Sequence, residues 1–148
     1  MRRKVLFVCI HNSARSQLAE ALMNTICAGE FEAESAGIEP GTLNPLAVAV
    51  LQERGIDISR KQTRGVSELF QTGRLFNYVI TVCDQAAETC PIFPGKAQRI
   101  HWSFPDPATV EGSDAEILAA FEQVRDGLEA KLTEWIAELS QAPCDMNH

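Results

Sequence analysis

An α/β fold, a three-layer open sheet of four parallel strands flanked by helices, follows from two features of the sequence. Short β-branched or apolar runs alternate along the chain with longer stretches of four-residue apolar spacing, the pattern of βαβ units joined by right-handed crossovers. The first run is apolar throughout, as in strands covered on both faces of a parallel sheet. At 148 residues the chain suits one domain with a substantial core, expected over 1–140, with a loose polar tail over 141–148.

Each element has a local reason. Residues 4 to 9 form the first strand, ending at Cys9. Leu18, Leu22 and Ile26, with Ala19, Met23 and Cys27, recur every four residues and make a helix that Gly29 can end, which leaves Cys27 in the core. Phe31 to Ala36 is a short second strand closed by Gly37, and Pro40-Gly41 marks a turn. Asn44 and Pro45 read as an N-cap with proline in the first turn of a helix that stops at Gly55, after which Ile56 and Ile58 return to the core. The polar stretch from Ser59 to Gly73 is loop plus a short helix near Val66 to Phe70. Its cations Arg60, Lys61 and Arg64, with Arg74 nearby, are read as a solvated basic face. Asn77 to Cys83 and Ala97 to Trp102 are the third and fourth strands. Ser113 and Glu116 form a capping box that opens a long helix through Ile117, Phe121, Val124, Leu128, Leu132, Trp135 and Leu139.

Composition narrows the function classes. Thirteen Lys plus Arg against twenty Asp plus Glu give a net charge of -7, which argues against nucleic acid or an anionic membrane as partner. Met1-Arg2-Arg3-Lys4 has the basic character of a signal-peptide start, but the apolar run behind it is too short for a secretory core, so a cytoplasmic protein is expected. Five cysteines, Cys9, Cys27, Cys83, Cys90 and Cys144, are an odd number and disfavour a static disulfide framework. The absence of Cys-x2-Cys and His-x3-5-His pairs speaks against structural zinc.

The chemistry concentrates at Cys9-Ile10-His11-Asn12-Ser13-Ala14-Arg15-Ser16. A strand delivers the cysteine, the loop turns its backbone N–H groups inward, and the helix that follows adds its positive N-terminal end. A tetrahedral oxyanion suits such a cradle. The field that binds it also favours a thiolate at Cys9, Arg15 offers a planar fork to two anion oxygens, and Ser16 can donate to the sulfur. A plain buried cysteine is the alternative, and the surrounding Asn, Ser and Arg weigh against it. His11 could tune the loop's charge or face solvent, whereas His101 fits a partly buried strand position.

Cys83 ends a predicted strand, on the rim of the sheet where Cys9 also lies. Cys90 follows seven positions later, before Pro91. If the intervening stretch were helical, the two Cα atoms would lie on the order of 10 Å apart, beyond the ~7 Å that a disulfide tolerates. Bond formation would therefore unwind the segment, making oxidation a conformational switch. One buried and one surface thiol is the bland alternative; a nucleophilic Cys9 on the same rim favours the redox pair. Asp106, between Pro105 and Pro107, is the candidate general acid for protonating a departing oxygen, or else a turn-forming aspartate. Cys144, in the tail, is read as an incidental exposed thiol.

Taken together, Val8-Cys9-x5-Arg15-Ser16, Glu34-Ser35-Ala36-Gly37-Ile38, Asn44-Pro45, Gly55-Ile56-Asp57-Ile58-Ser59 and Asp106-Pro107 resemble the low-molecular-weight protein tyrosine phosphatase superfamily. Val82-Cys83, Cys90-Pro91 and His101-Trp102-x3-Asp106-Pro107-Ala108 are similar to its three-cysteine, thioredoxin-coupled arsenate reductases. The resemblance implies a low-molecular-weight phosphatase-like fold, with arsenate as substrate in the loop from Cys9 to Arg15 and attack by Cys9 on arsenic. It further implies protonation by Asp106, a Cys9 to Cys83 disulfide, its resolution by Cys90, and reduction by thioredoxin as partner. No bound cofactor is implied, and a monomer is expected. Some members of this branch bind a monovalent cation through an Asn, a Glu, a Ser and an Asp. Asn12, Glu20 and Ser35 match, but Arg64 and Gly65 stand where the aspartate is expected, which speaks against potassium stimulation. Two alternatives remain: a phosphatase working through a cysteinyl phosphate, against which Ala108 replaces the tyrosine usual after Asp-Pro, and a non-enzymatic phosphate-sensing redox module.

Overall fold

Val5 to Cys9 are all buried because β1 (Arg3–Cys9) lies inside the sheet, hydrogen-bonded on both edges. The computed structural model describes residues 2–73, 75–84 and 96–139. After β1 come α1 (Arg15–Ile26), β2 (Phe31–Gly37), α2 (Pro45–Gln52), α3 (Val66–Gln71), β3 (Tyr78–Thr81), β4 (Gln98–His101) and α4 (Asp114–Leu139). A 3-10 turn at Pro107–Thr109 precedes α4. All pairings are parallel, in the order β2-β1-β3-β4. The described strands β3 and β4 are shorter than the apolar runs that announce them, because Val82 and Trp102 each continue the ladder by a single N–H bond, to Val8 and Thr81.

The side-chain period of two divides β1 between two cores. Val5, Phe7 and Cys9 face the larger one, built with α1, α2 and α4, while Leu6 and Val8 meet Val66 and Leu69 around α3. Trp135 of α4 anchors the larger core. Its ring stands edge-on to Tyr78 at 5.0 Å and to Trp102 at 5.7 Å between centroids. Both predicted caps are present: Asn44 Oδ1 accepts from Leu46 N at 2.9 Å, and Ser113 and Glu116 exchange bonds across the start of α4. Among the described residues, no helix is long and apolar enough to cross a membrane.

The strand order positions the site. From β1 the chain goes to β2 on one side and later to β3 on the other, so the order reverses between β1 and β3. In open parallel sheets the crevice at such a reversal, beyond the strands' carboxyl ends, is where ligands bind. The loop after Cys9 and the residues after Thr81 both open into it. Cys90, residues 85–90 of the Cys83-to-Cys90 stretch that was to unwind, Arg74, Cys144 and the 141–148 tail lie outside the described residues.

Candidate active site

The loop from Ile10 to Ala14 is shaped by where its carbonyls point. Those of Cys9, Ile10, His11 and Ser13 accept from the backbone N–H groups of Ile38 (3.3 Å), Glu39 (2.8 Å), Gly41 (2.9 Å) and Asn44 (2.9 Å). A planar peptide that turns its oxygen one way turns its N–H the other. The 38–44 segment thus draws the carbonyls outward and leaves the amides to face the loop's interior. Gly37 makes this approach possible. A Cβ there would fall 2.7 Å from the Ile10 carbonyl oxygen and 2.8 Å from Asn12 N, closer than side chains pack. A strand-end glycine is a recognised sign of close backbone approach, whereas the sequence reading used Gly37 only as a terminator.

Cys9 is a free thiol, 2% exposed. Its Sγ lies 2.8 Å from Ser16 Oγ and accepts from Asn12 N at 3.2 Å. Ser16 Oγ already accepts from Asn12 Nδ2 at 2.8 Å, so its own proton is available to the sulfur. Asn12 adopts φ 56°, a left-handed conformation that asparagine tolerates better than most residues. Its Oδ1 accepts from Gln17 Nε2 at 3.1 Å and from Arg64 N at 2.9 Å, which fixes that conformation from two sides. Neither Gln17 nor the Arg64 amide was anticipated, because both contacts depend on the folded chain.

Arg15 is 4% exposed, and its guanidinium donates to the Phe104 carbonyl at 3.0 Å while lying 3.7 Å from Asp106 Oδ2. Asp106 also caps the 3-10 turn, its Oδ1 accepting from Ala108 N at 3.0 Å. The turn-forming and acid-supplying readings of Asp106 are therefore compatible: the cap orients one oxygen and leaves the other toward Arg15. His11 is exposed and donates through Nδ1 to the Glu39 carbonyl at 2.9 Å, on the rim of the loop.

Cys83 lies two residues beyond β3, fully buried and disulfide-bonded. β3 pairs with β1 next to the loop, with Val8 opposite Thr81. Beside it on β4, the His101 ring is held by Thr81 Oγ1 at 2.6 Å from Nδ1, and the buried Nε2 has no partner. Cys27 is buried as expected, but it too is disulfide-bonded, which core packing did not foretell.

The basic-face expectation needs correction. Lys61 Nζ lies 2.5 Å from Glu20 Oε2, on a side chain only 3% exposed, and Arg64 reaches Glu20 Oε1 at 3.5 Å and Glu34 Oε1 at 3.2 Å. These two cations face buried or nearly buried acids on α1 and β2. Arg60 keeps the solvated character expected of it, and Lys61, though paired, is still 43% exposed, whereas Arg64 is half-buried. A monovalent cation does not fit here, because the Glu20 and Asn12 oxygens that would bind it already hold partners. Glu20 Oε1 also accepts from Ser35 Oγ at 3.0 Å, and Asn12 Oδ1 is spent on Gln17 and Arg64. Among the described residues there is also no cluster of three His, Cys, Asp or Glu suited to a metal.

These features define a class: an open parallel α/β protein whose β1–α1 loop turns its backbone amides inward beside a buried cysteine and a buried arginine. The family profile described as low molecular weight phosphotyrosine protein phosphatase matches residues 4–143, and the chain belongs to that family. It is 44% identical over 128 residues to an arsenate reductase of Halalkalibacterium halodurans, spanning 85% of this chain and 90% of that one. Among solved structures it is similar to arsenate reductase from Archaeoglobus fulgidus, with a TM-score of 0.75 and 30% identity over 90% of this chain and 98% of that one. A thioredoxin-dependent arsenate reductase of Corynebacterium glutamicum superposes with a TM-score of 0.60 at 29% identity, over 90% of this chain and 63% of that one.

Proposed function

We propose that this chain is an arsenate reductase in which Cys9 is the nucleophile and Cys83 and Cys90 carry electrons to it from thioredoxin. The observation that carries the reading is a disulfide-bonded Cys83 just past β3, the strand that pairs with β1 and its free, buried Cys9. A phosphatase needs the second of these and has no use for the first.

The steps balance as follows. Arsenate enters the loop, its oxygens taken by the inward amides and the Arg15 fork. The Cys9 thiolate forms a bond to arsenic, and an arsenate oxygen departs as water with a proton from Asp106. The Cys83 thiolate then attacks Cys9 Sγ. The sulfur–arsenic bond breaks with its electron pair left on arsenic, which goes from As(V) to As(III) and departs as arsenite. A Cys9–Cys83 disulfide remains. Cys90 attacks Cys83, freeing Cys9, and the dithiol of thioredoxin reduces the resulting Cys83–Cys90 bond by exchange. The protein's thiols carry both electrons, so the reaction calls for no bound cofactor. A cytoplasmic setting, where thiols are kept reduced, suits it.

The test combines arsenate, thioredoxin, thioredoxin reductase and NADPH, and follows NADPH oxidation. Steady turnover is expected, abolished in Cys9→Ser, Cys83→Ser and Cys90→Ser and reduced roughly 10²-fold in kcat by Asp106→Asn. No arsenate-dependent turnover with thioredoxin or any other thiol donor refutes the reading. Unchanged turnover in Cys90→Ser removes its resolving step. A weak aryl phosphatase activity is the second reading. It is favoured by an apolar hollow of about 180 Å³ beside Asp106, lined by Phe104, Pro105, Pro107, Val110 and Val124.

A further inference from the structure

Glu20 sits on the buried side of α1, the helix that follows the Cys9 loop, and is linked to that loop through Arg64, whose backbone N–H holds Asn12. An ionised carboxylate in such a place is tolerated only with opposite charge and full hydrogen bonding. Its partners are the Ser35 hydroxyl at 3.0 Å, the Arg64 guanidinium at 3.5 Å and the Lys61 ammonium at 2.5 Å. The stretch that supplies these cations is itself fastened to the loop. The Gln62 carbonyl accepts from Gln17 Nε2 at 3.2 Å, Arg64 N donates to Asn12 Oδ1 at 2.9 Å, and the Arg64 carbonyl accepts from Gly37 N at 2.8 Å. Glu20, Lys61 and Arg64 also line an open cleft of about 370 Å³, along with Glu32, Glu34 and Arg2.

We propose that the Lys61 ammonium occupies the place of the monovalent cation for which this family member lacks free ligands, as a built-in counter-charge that positions the anion loop. It acts in two ways. By holding the 61–64 strap on Glu20, it keeps the Arg64 amide on Asn12, and so keeps Asn12 in the left-handed conformation that aims its own N–H at Cys9 Sγ. By neutralising Glu20, it removes a negative charge from the helix that follows a loop that has to hold an oxyanion. Lys61 is thus a positioning residue and touches no reacting atom. The inference rests on the Cys9 loop being an anion site, not on arsenate being reduced there, so each reading can fail without the other.

The experiment uses the reduced full chain and two readouts that need no turnover. One is the melting temperature in potassium chloride or tetramethylammonium chloride, each at about 0.1 M to equalise screening. The other is alkylation of Cys9 by iodoacetamide, followed by peptide mass spectrometry, and its protection by inorganic phosphate. The wild type should melt within about 1 °C in the two salts. In tetramethylammonium chloride, Lys61→Met should need roughly tenfold more phosphate for half-protection. Potassium or methylammonium, entering through the cleft to the vacated Glu20, should restore most of that affinity, and Lys61→Arg should keep it. A wild type as responsive to potassium as the variant overturns the proposal. So does a Lys61→Met protein that binds phosphate like the wild type, or one that no small cation rescues, since a merely structural lysine behaves that way. Should Lys61→Met fail to fold, Lys61→Gln answers the same question, and the wild-type salt comparison stands regardless.

Discussion

The two halves of the crevice are built on opposite terms. On the β1 side, the free Cys9 is joined by hydrogen bonds to Asn12 and Ser16 and through Asn12 to Gln17, whose Oε1 stays buried without a partner, and the loop carbonyls are taken by the 38–44 segment. On the β3 side, Cys83 is already in a disulfide, and the neighbouring His101 keeps a buried Nε2 without a partner. A group that binds and attacks an anion gains from preorganisation, since donors fixed in advance need no rearrangement as charge develops. A group that must exchange one sulfur partner for another cannot be fixed in the same way. In the proposed reaction, anion recognition falls to the first side and electron transfer to the second.

The largest effect should come from cutting that division. Cys9→Ser and Cys83→Ser should each lower arsenate turnover by at least about 10³-fold, yet they should differ in everything else. Cys83→Ser should retain phosphate binding, read by protection of Cys9 from alkylation, and should still form a stoichiometric thiol adduct with arsenate visible by mass spectrometry. Cys9→Ser should form none. If Cys83→Ser lost phosphate protection as well, the two sides would be one unit and the division would be wrong.

Gly37→Ala sharpens the comparison from the binding side. The new methyl group would press on the Ile10 carbonyl and the Asn12 amide, both backbone. A contact of that kind cannot be relieved by turning a side chain and costs on the order of 1–3 kcal/mol. A lower melting temperature is expected, together with phosphate protection weakened by about tenfold or more. Normal melting and binding would mean that the loop tolerates displacement and that its preorganisation has been overstated.

Much of this could be read along the chain, for a physical reason. The anion loop is contiguous, so a cysteine, an asparagine, an arginine and a serine between a strand and a helix announce it locally. The strands and the caps of α2 and α4 are local signals too, carried by apolar runs and by Asn44-Pro45 and Ser113-x2-Glu116. What could not be read was contact across the fold. Lys61 and Arg64 look like solvated cations until α1 brings Glu20 beneath them. Gly37 looks like a strand end until β1 and β2 align Cys9 with it. Cys27 has the apolar neighbours of a core residue, and nothing in its spacing distinguishes a packed thiol from a bonded one.

The smallest effect probes the other side. Thr81 Oγ1 lies 2.6 Å from His101 Nδ1, on the two strands that approach Cys83. Thr81→Val removes the hydroxyl at nearly constant volume and takes from Nδ1 of the half-buried His101 its partner, while the buried Nε2 already has none. Loss of one such bond costs about 1 kcal/mol, small enough to leave the chain folded and large enough to read in a denaturant midpoint. Phosphate protection of Cys9 should be unchanged, because no atom of the anion loop depends on this pair. Formation of the Cys9–Cys83 disulfide should slow in a single-turnover quench, since the ring beside the strand that leads to Cys83 is no longer held. If phosphate binding fell while thiol exchange kept its rate, the β3 side would be serving recognition, and the assignment of tasks across the crevice would have to be reversed.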